Sequence, residues 1–274
     1  MIERICQGSL LTAMAAMAVL AASAGSVPAA AGADDVAGGK VVFDRECTVC
    51  HGPFGKGDGP AAGLCDPLPR NFANGFYKLR TTESGELPTN ADLARTVTEG
   101  IPGTAMPSFR HLDARAIADV IAYVKTLGGP ENDEGSWFEL YEVPPPISVP
   151  PEPPVTADSR ALGDKLYVDM GCDGCHGSTG AGDGKKPTEM LDDSGNPLHA
   201  RSFRLGVYKG GARGQDIYAR IMTGMDGTPM TGFWKDAMTP AERWAVTRHV
   251  LSYGRPQAVE QPSRGTVQVR AGAP

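Results

Sequence analysis

Cys172-Asp173-Gly174-Cys175-His176 is the stretch on which the reading of this chain turns, and Cys47-Thr48-Val49-Cys50-His51 repeats its pattern. In each, two thiols lie one helical turn apart and a His follows directly. A Cys-x-x-Cys pair alone suits a redox dithiol or half of a zinc site. With the adjacent His it suits covalent haem attachment: each thiol forms a thioether to the porphyrin, and the imidazole lies under the iron as proximal ligand. Two copies, each with a matching downstream Met, favour haem over the dithiol and the zinc site. A haem would also give each half a large apolar body to fold around.

The matching Met residues sit in Gly100-Ile-Pro-Gly-Thr-Ala-Met106-Pro and Gly227-Thr228-Pro229-Met230. Pro and Gly at this density exclude a regular helix. A loop can carry a thioether to the iron face opposite the His. Met106 stands 55 residues after His51 and Met230 stands 54 after His176. The expected iron ligands are therefore His51 with Met106 and His176 with Met230, and the attachment residues are Cys47, Cys50, Cys172 and Cys175. His111 competes in the first repeat; Met222, Met225, His199 and His249 compete in the second.

The repeat extends further. Gly163 to Tyr167 matches Gly39 to Phe43, and Gly182-Asp183-Gly184 matches Gly57-Asp58-Gly59. Lys40 to Cys47 reads as a helix entering the first motif, with Phe43 packing on the haem or on the closing helix. Thr89 or Asn90 caps a helix carrying Leu93 and Val97, which Gly100 ends. Asp113 to Leu127 reads as a closing helix with an apolar face of Ile117, Val120, Ile121 and Val124. In the second repeat, the segment ending at Gly224 matches the helix ending at Gly100. Thr239-Pro240 starts the last helix, whose packing residues are Trp244, Val250, Leu251 and Tyr253. Arg70 and Arg80 either pair with haem propionates or are solvated. Between the repeats, seven of the eleven residues from Pro144 to Pro154 are proline, a semi-rigid extended spacer. The aromatics before it, Trp137, Phe138 and Tyr141, are expected to lie across one or both domains.

The apolar run Leu10 to Ala24, followed by small residues up to Ala31, reads as a cleaved secretory signal peptide. The run is short for a bilayer span, and no later segment is apolar enough. Of six cysteines, Cys6 lies before that run, four belong to the motifs, and Cys65 is left over, so no disulfide framework is expected. Cys65 reads as a small buried residue or, less simply, an alternative haem ligand. High Gly and Pro, with 7% aromatics, mean much loop and a thin side-chain core. A formal charge of -6 argues against nucleic acid and allows redox partners with a basic docking face.

On these motifs, loops and paired helices the chain resembles the class I cytochrome c family in a tandem diheme form. The resemblance implies an all-α fold of two cytochrome c-like domains, each around a covalently attached haem c. It divides the chain into a signal peptide (1–31), a first domain (38–129), a Pro-rich linker (130–158), a second domain (159–255) and a flexible tail (256–274). It further implies periplasmic single-electron transfer between redox protein partners or with a membrane-bound oxidoreductase complex, without independent substrate turnover. A thiosulfate-oxidising diheme enzyme, suggested by Cys65, and a diheme peroxidase, which needs an open iron, are the competing readings.

Overall fold

Each half of the chain is closed by a helix crossing built on a glycine. The computed structural model describes residues 35–130, 135–185, 190–234 and 236–254; the expected signal peptide and tail lie outside them. Helix α1 (Val36–Glu46) packs against α4 (Ala114–Lys125), and α6 (Ala157–Asp169) packs against α9 (Pro240–Tyr253). A Cβ on Gly39 would lie 1.8 Å from the Asp119 carbonyl oxygen, and one on Gly163 would lie 2.4 Å from that of Ala245. Hydrogen is the only side chain that lets these backbones meet so closely. Helix α1 starts four residues before the expected Lys40, with the Asp35 amide donating to Asp119 Oδ1 of the crossing partner at 3.0 Å.

The helix ends follow local chemistry. Thr89 and Asp92 form a reciprocal capping box on α3 (Asn90–Glu99), and Thr239 and Glu242 do the same on α9, with Pro240 in its first turn. The Asp113 carboxylate accepts from the Ala116 amide at the start of α4. Behind the crossing, Phe43 packs on Val120 and Val124 and meets Tyr123 edge-on, so it is the closing helix that it covers. A second cluster joins Tyr77, Leu87 and Leu93 to Ile117 and Ile121. In the second half one larger core joins Tyr167, Phe203, Tyr208, Ile217, Ile221, Met238, Val246 and Val250. The fold is all-α apart from two-residue strands β1 (Met190–Leu191) and β2 (Pro197–Leu198), paired antiparallel.

The near-equal His-to-Met spacings conceal two compensating length changes. Equivalent residues are offset by 125 at His51 and His176, by 131 at Arg70 and Arg201, and by 124 at Met106 and Met230. The second half gains its extra residues around the β1–β2 hairpin. The first half is longer between Arg80 and α3. Both added pieces reach the opposite half. Asp193 of the hairpin accepts from Arg70 Nη1 at 3.0 and 3.1 Å, and from Asn74 at 2.8 Å. From the first half's added piece the Gly85 amide donates to Asp226 at 3.0 Å, and just before it Arg80, whose side chain is fully buried, donates to Asp226 at 2.8 Å and to the Thr223 carbonyl at 3.1 Å. Arg220 returns the contact, donating to the carbonyls of Lys78 and Arg80 at 2.9 and 3.2 Å. Arg70 and Arg80 are thus committed to the other half of the chain and are not solvated.

The described residues consequently belong to one compact unit. The Pro-rich segment runs over it as a strap. In α5 (Trp137–Leu140), Trp137 Nε1 donates to the Ala73 carbonyl, and Phe138 meets Tyr77 edge-on. The Ile147 amide donates to Thr81, Ile147 and Val149 pack on Tyr218, Met222 and Trp244, and Trp244 Nε1 donates to Pro150. The strap therefore touches both halves in turn.

The crossings supply a test. In a helix, Gly→Ala normally gains roughly 0.5–1 kcal/mol. At Gly39 and Gly163 the added methyl meets main chain, and overpacking of about 1–3 kcal/mol outweighs that gain. Gly39→Ala and Gly163→Ala should each lower stability in chemical denaturation. Gly63→Ala, with nothing within 4 Å of its Cβ, should change it little.

Candidate haem-attachment sites

The two motifs fold alike. Helices α2 (Thr48–His51) and α7 (Asp173–His176) each occupy one turn directly after the entering helix. The His51 amide donates to Cys47 at 2.9 Å, and the His176 amide donates to Cys172 at 2.9 Å. The glycine loop then folds back over the turn. Gly57 and Gly59 amides donate to the His51 and Cys50 carbonyls at 2.9 and 3.1 Å, and Gly182 and Gly184 repeat this to His176 and Cys175 at 2.8 and 3.1 Å. All four cysteines are free thiols. Burial pushes the Cys47 thiol up to about 12 and the Cys172 thiol up to about 11. Neither is a poised thiolate of the kind a redox dithiol needs.

Each imidazole has one nitrogen committed. His51 Nδ1 lies 3.1 Å from the Arg70 carbonyl oxygen, and His176 Nδ1 lies 3.0 Å from that of Arg201. A carbonyl only accepts, so Nδ1 carries the proton and Nε2 keeps its lone pair for a metal. Burial also pulls both imidazoles below their usual range, toward the neutral form. Phe72 stacks on His51 with ring centroids 4.8 Å apart, and Phe203 stacks on His176 at 4.3 Å. These phenyl rings and the two Arg carbonyls support the imidazoles from outside the Cys-x-x-Cys-His motifs. The signal was present as Arg70-Asn71-Phe72 and Arg201-Ser202-Phe203, followed five residues later by Tyr77-Lys78 and Tyr208-Lys209.

The Met loops are equivalent bond for bond. The Ile101 amide donates to Met106 O at 3.1 Å, Thr104 Oγ1 donates to Ile101 O at 2.8 Å, and the Met106 amide donates to Thr104 Oγ1 at 3.2 Å. Met225, Thr228 and Met230 repeat the set at 2.9, 2.7 and 3.2 Å. Phe109 and Phe233 then tie each loop's far end to the preceding helix, through Val97 and Ile221. By this pattern Met225 corresponds to Ile101, an anchor of the loop, and Met230 corresponds to Met106. Met222 is buried against Tyr218 and Trp244. Arg243 fixes the chain beyond Met230 by donating to Phe233, Trp234 and Met238 carbonyls at 2.9, 3.0 and 3.1 Å.

The other histidines are placed elsewhere. His111 is exposed beside Glu46, and His199 is exposed. His249 has both nitrogens engaged, Nδ1 with Asp164 and Nε2 with Tyr253. Cys65 is half-buried, donates to the Ala61 carbonyl and lies beside Cys50.

These residues fit a haem. Each half offers two free thiols on one turn, an imidazole with Nε2 unpaired, and a half-buried Met in an ordered loop. In the first half Tyr77 Oη and Arg70 Nε are buried without a hydrogen-bond partner. Lys78 and Lys209 are half-buried with no carboxylate bonded to them, and burial pulls Lys78 down to about 8. Unpaired cations and a hydroxyl in such a place suit the acidic edge of a porphyrin. Among the described residues no cluster of three or more His, Cys, Asp or Glu could hold a metal ion on its own.

Comparison with known proteins gives the same picture. The profile of the cytochrome c family matches residues 36–128 and again 161–254. A solved chain of the Kuenenia stuttgartiensis reducing HAO-like protein complex Kustc0457/Kustc0458 is similar at 37% identity and a TM-score of 0.74, over 80% of this chain and 96% of that one. The cbb3-type cytochrome c oxidase subunit CcoP of Azospirillum sp. (strain B510) is 36% identical over 102 residues, 36% of this chain. The chain spans about a third of the length of that relative, 31%.

Attachment can be counted. Replacing Cys47 and Cys50 by Ser should reduce the mass of the purified protein by one covalent haem. Replacing Cys172 and Cys175 should do the same, and the fourfold variant should carry none. Retention of two haems by either double variant under denaturing mass spectrometry would remove that motif from the site.

Proposed function

The chain belongs to the cytochrome c family, and from that premise we propose that it is a diheme c-type cytochrome carrying single electrons between protein partners in the periplasm. The two cytochrome domains are assigned to 38–129 and 159–255, with 130–158 as the linker. The observation that carries this reading is the pair of Met loops with one hydrogen-bond pattern.

Haem, when bound, supplies a one-electron exchange at iron. The residues of the chain set the terms of that exchange. Cys47 and Cys50, and Cys172 and Cys175, tether it so that it cannot dissociate. His51 and His176 present Nε2 from rings held by a carbonyl on one side and a phenyl ring on the other. Met106 and Met230 would supply the second ligand to each iron, a soft thioether that would favour the reduced state. If His and Met both held the iron, as proposed, the site would suit electron exchange better than binding of peroxide or another small substrate. Cys65 lies beside Cys50 and donates to the Ala61 carbonyl; a thiosulfate-oxidising enzyme that uses it is the alternative reading.

Partners follow from charge and from relatives. The formal charge of -6 suits a partner with a basic face, docking through a small interface of roughly less than 1,200 Å². The Kuenenia chain comes from a reducing HAO-like protein complex and the Azospirillum relative is an oxidase subunit. A larger oxidoreductase is accordingly the proposed donor or acceptor. Among the described residues no helix is long and apolar enough to cross a membrane. The sequence Leu10 to Ala31 is proposed as the export signal.

A spectropotentiometric titration tests the assignment. Met106→Ala and Met230→Ala should each remove roughly half of the sulfur-to-iron charge-transfer band and lower one midpoint potential, as loss of a Met ligand requires. An unchanged band in either variant would remove that Met from the ligand set. The Arg243 clamp beyond Met230 should give the parent protein two resolved midpoints; a fit by one shared midpoint counts against a difference between the two sites.

A further inference from the structure

The residue that holds each imidazole also reaches into the other half of the chain. Arg70 accepts from His51 through its carbonyl, while its guanidinium pairs with Asp193, the side chains being 14% and 9% exposed. The Asp193 amide in turn donates to Gly227 O at 3.1 Å, and Arg70 Nη1 would lie 3.0 Å from a Cβ placed on Gly227. Gly227 belongs to the Met230 loop. Arg201 does the converse. Its carbonyl accepts from His176, Nε donates to Val207 O at 3.1 Å, and Nη1 donates to Gly103 O at 3.1 Å. Gly103 belongs to the Met106 loop, and a Cβ there would lie 1.6 Å from Arg201 Nη2. Both glycines have left-handed backbone, φ 72° and φ 69°, so each loop turns under the guanidinium that covers it.

We propose that Arg70 and Arg201 are positioning residues that couple the two sites, each tying the imidazole support of its own half to the Met loop of the other. This rests on the diheme reading above. The contacts are reciprocal, so a movement of the Met106 loop is felt at Arg201 and hence at His176. A movement of the Met230 loop is felt at Arg70 and hence at His51. By linkage the coupling acts equally in both directions. An effect of this kind separates a coupled pair from two independent carriers on one chain. The planar fork of Arg makes the contact directional, and Lys keeps the charge without that fork.

The test uses the full-length haem-loaded protein and the variants R201K, R70K and D193N. Asp193→Asn breaks the Arg70 link from the second half without touching the imidazole support. Hydrogen exchange is followed in peptides covering 98–109 and 222–233. R201K should speed exchange about tenfold in 98–109 and leave 222–233 unchanged. R70K and D193N should do the opposite. Imidazole added to the ferric protein should displace the thioether about tenfold more readily at the Met of the same loop, identified by the NMR signal of the Met methyl group. Changes confined to the half whose imidazole the affected arginine supports, or equal in both halves, overturn the proposal, because they describe ordinary loosening. Covalent haem is counted by mass on the same samples. A count below two sinks the diheme reading, while the exchange pattern still judges the latch.

Discussion

One nitrogen of each imidazole is taken by a backbone carbonyl, and much of the surrounding structure exists to put that carbonyl in place. The carbonyl belongs to Arg70 or Arg201, far along the chain from the ring it holds. It arrives there because the glycine loop doubles back over the helical turn and because the next residues stack a phenyl ring on the imidazole. The helix crossing fixes where the turn starts, and the Gly39 and Gly163 contacts leave that crossing almost no freedom. A tautomer is thereby determined by packing many residues away.

The contact between the halves is made by buried guanidinium groups. Arg80 is fully buried at its side chain. Arg220 takes the carbonyls of Lys78, Arg80 and Gly224 and bonds to no carboxylate. Burial pulls it down to about 10. Taking such a group out of water costs several kcal/mol, and each charge-assisted bond returns about 1.5–3 kcal/mol. The net is small. What these bonds supply is register: each names one acceptor, so sliding by a single residue strands a charge.

Much of the fold was legible in the sequence because its signals are local. The Cys-x-x-Cys-His turns, the Thr89 and Thr239 caps, the apolar face of α4 and the Pro/Gly Met loops all declare themselves within a few residues. The middle of each half was not legible. Its register changes by six residues and then back by seven between the repeats, and a spacing count from His to Met cancels the two. Arg70 and Arg80 resisted for a different reason. Their partners, Asp193 and Asp226, lie more than a hundred residues away, and nothing near them in sequence marks the pairing. The hairpin was missed because two-residue strands carry no periodicity. At the site, the motifs and loops could be read directly, whereas the supporting carbonyls are main-chain atoms with no residue signature.

The strap from Trp137 to Pro154 also changes what the arginine seam has to achieve. Two separate proteins meeting through such a polar surface would need to overcome the entropy of association before any of these bonds could form. Here the second half never leaves. A stiff tether anchored on Ala73 and Thr81 at one end and on Trp244 at the other makes the meeting of the halves an intramolecular event. The seam is thereby relieved of the need for affinity and is free to be specific.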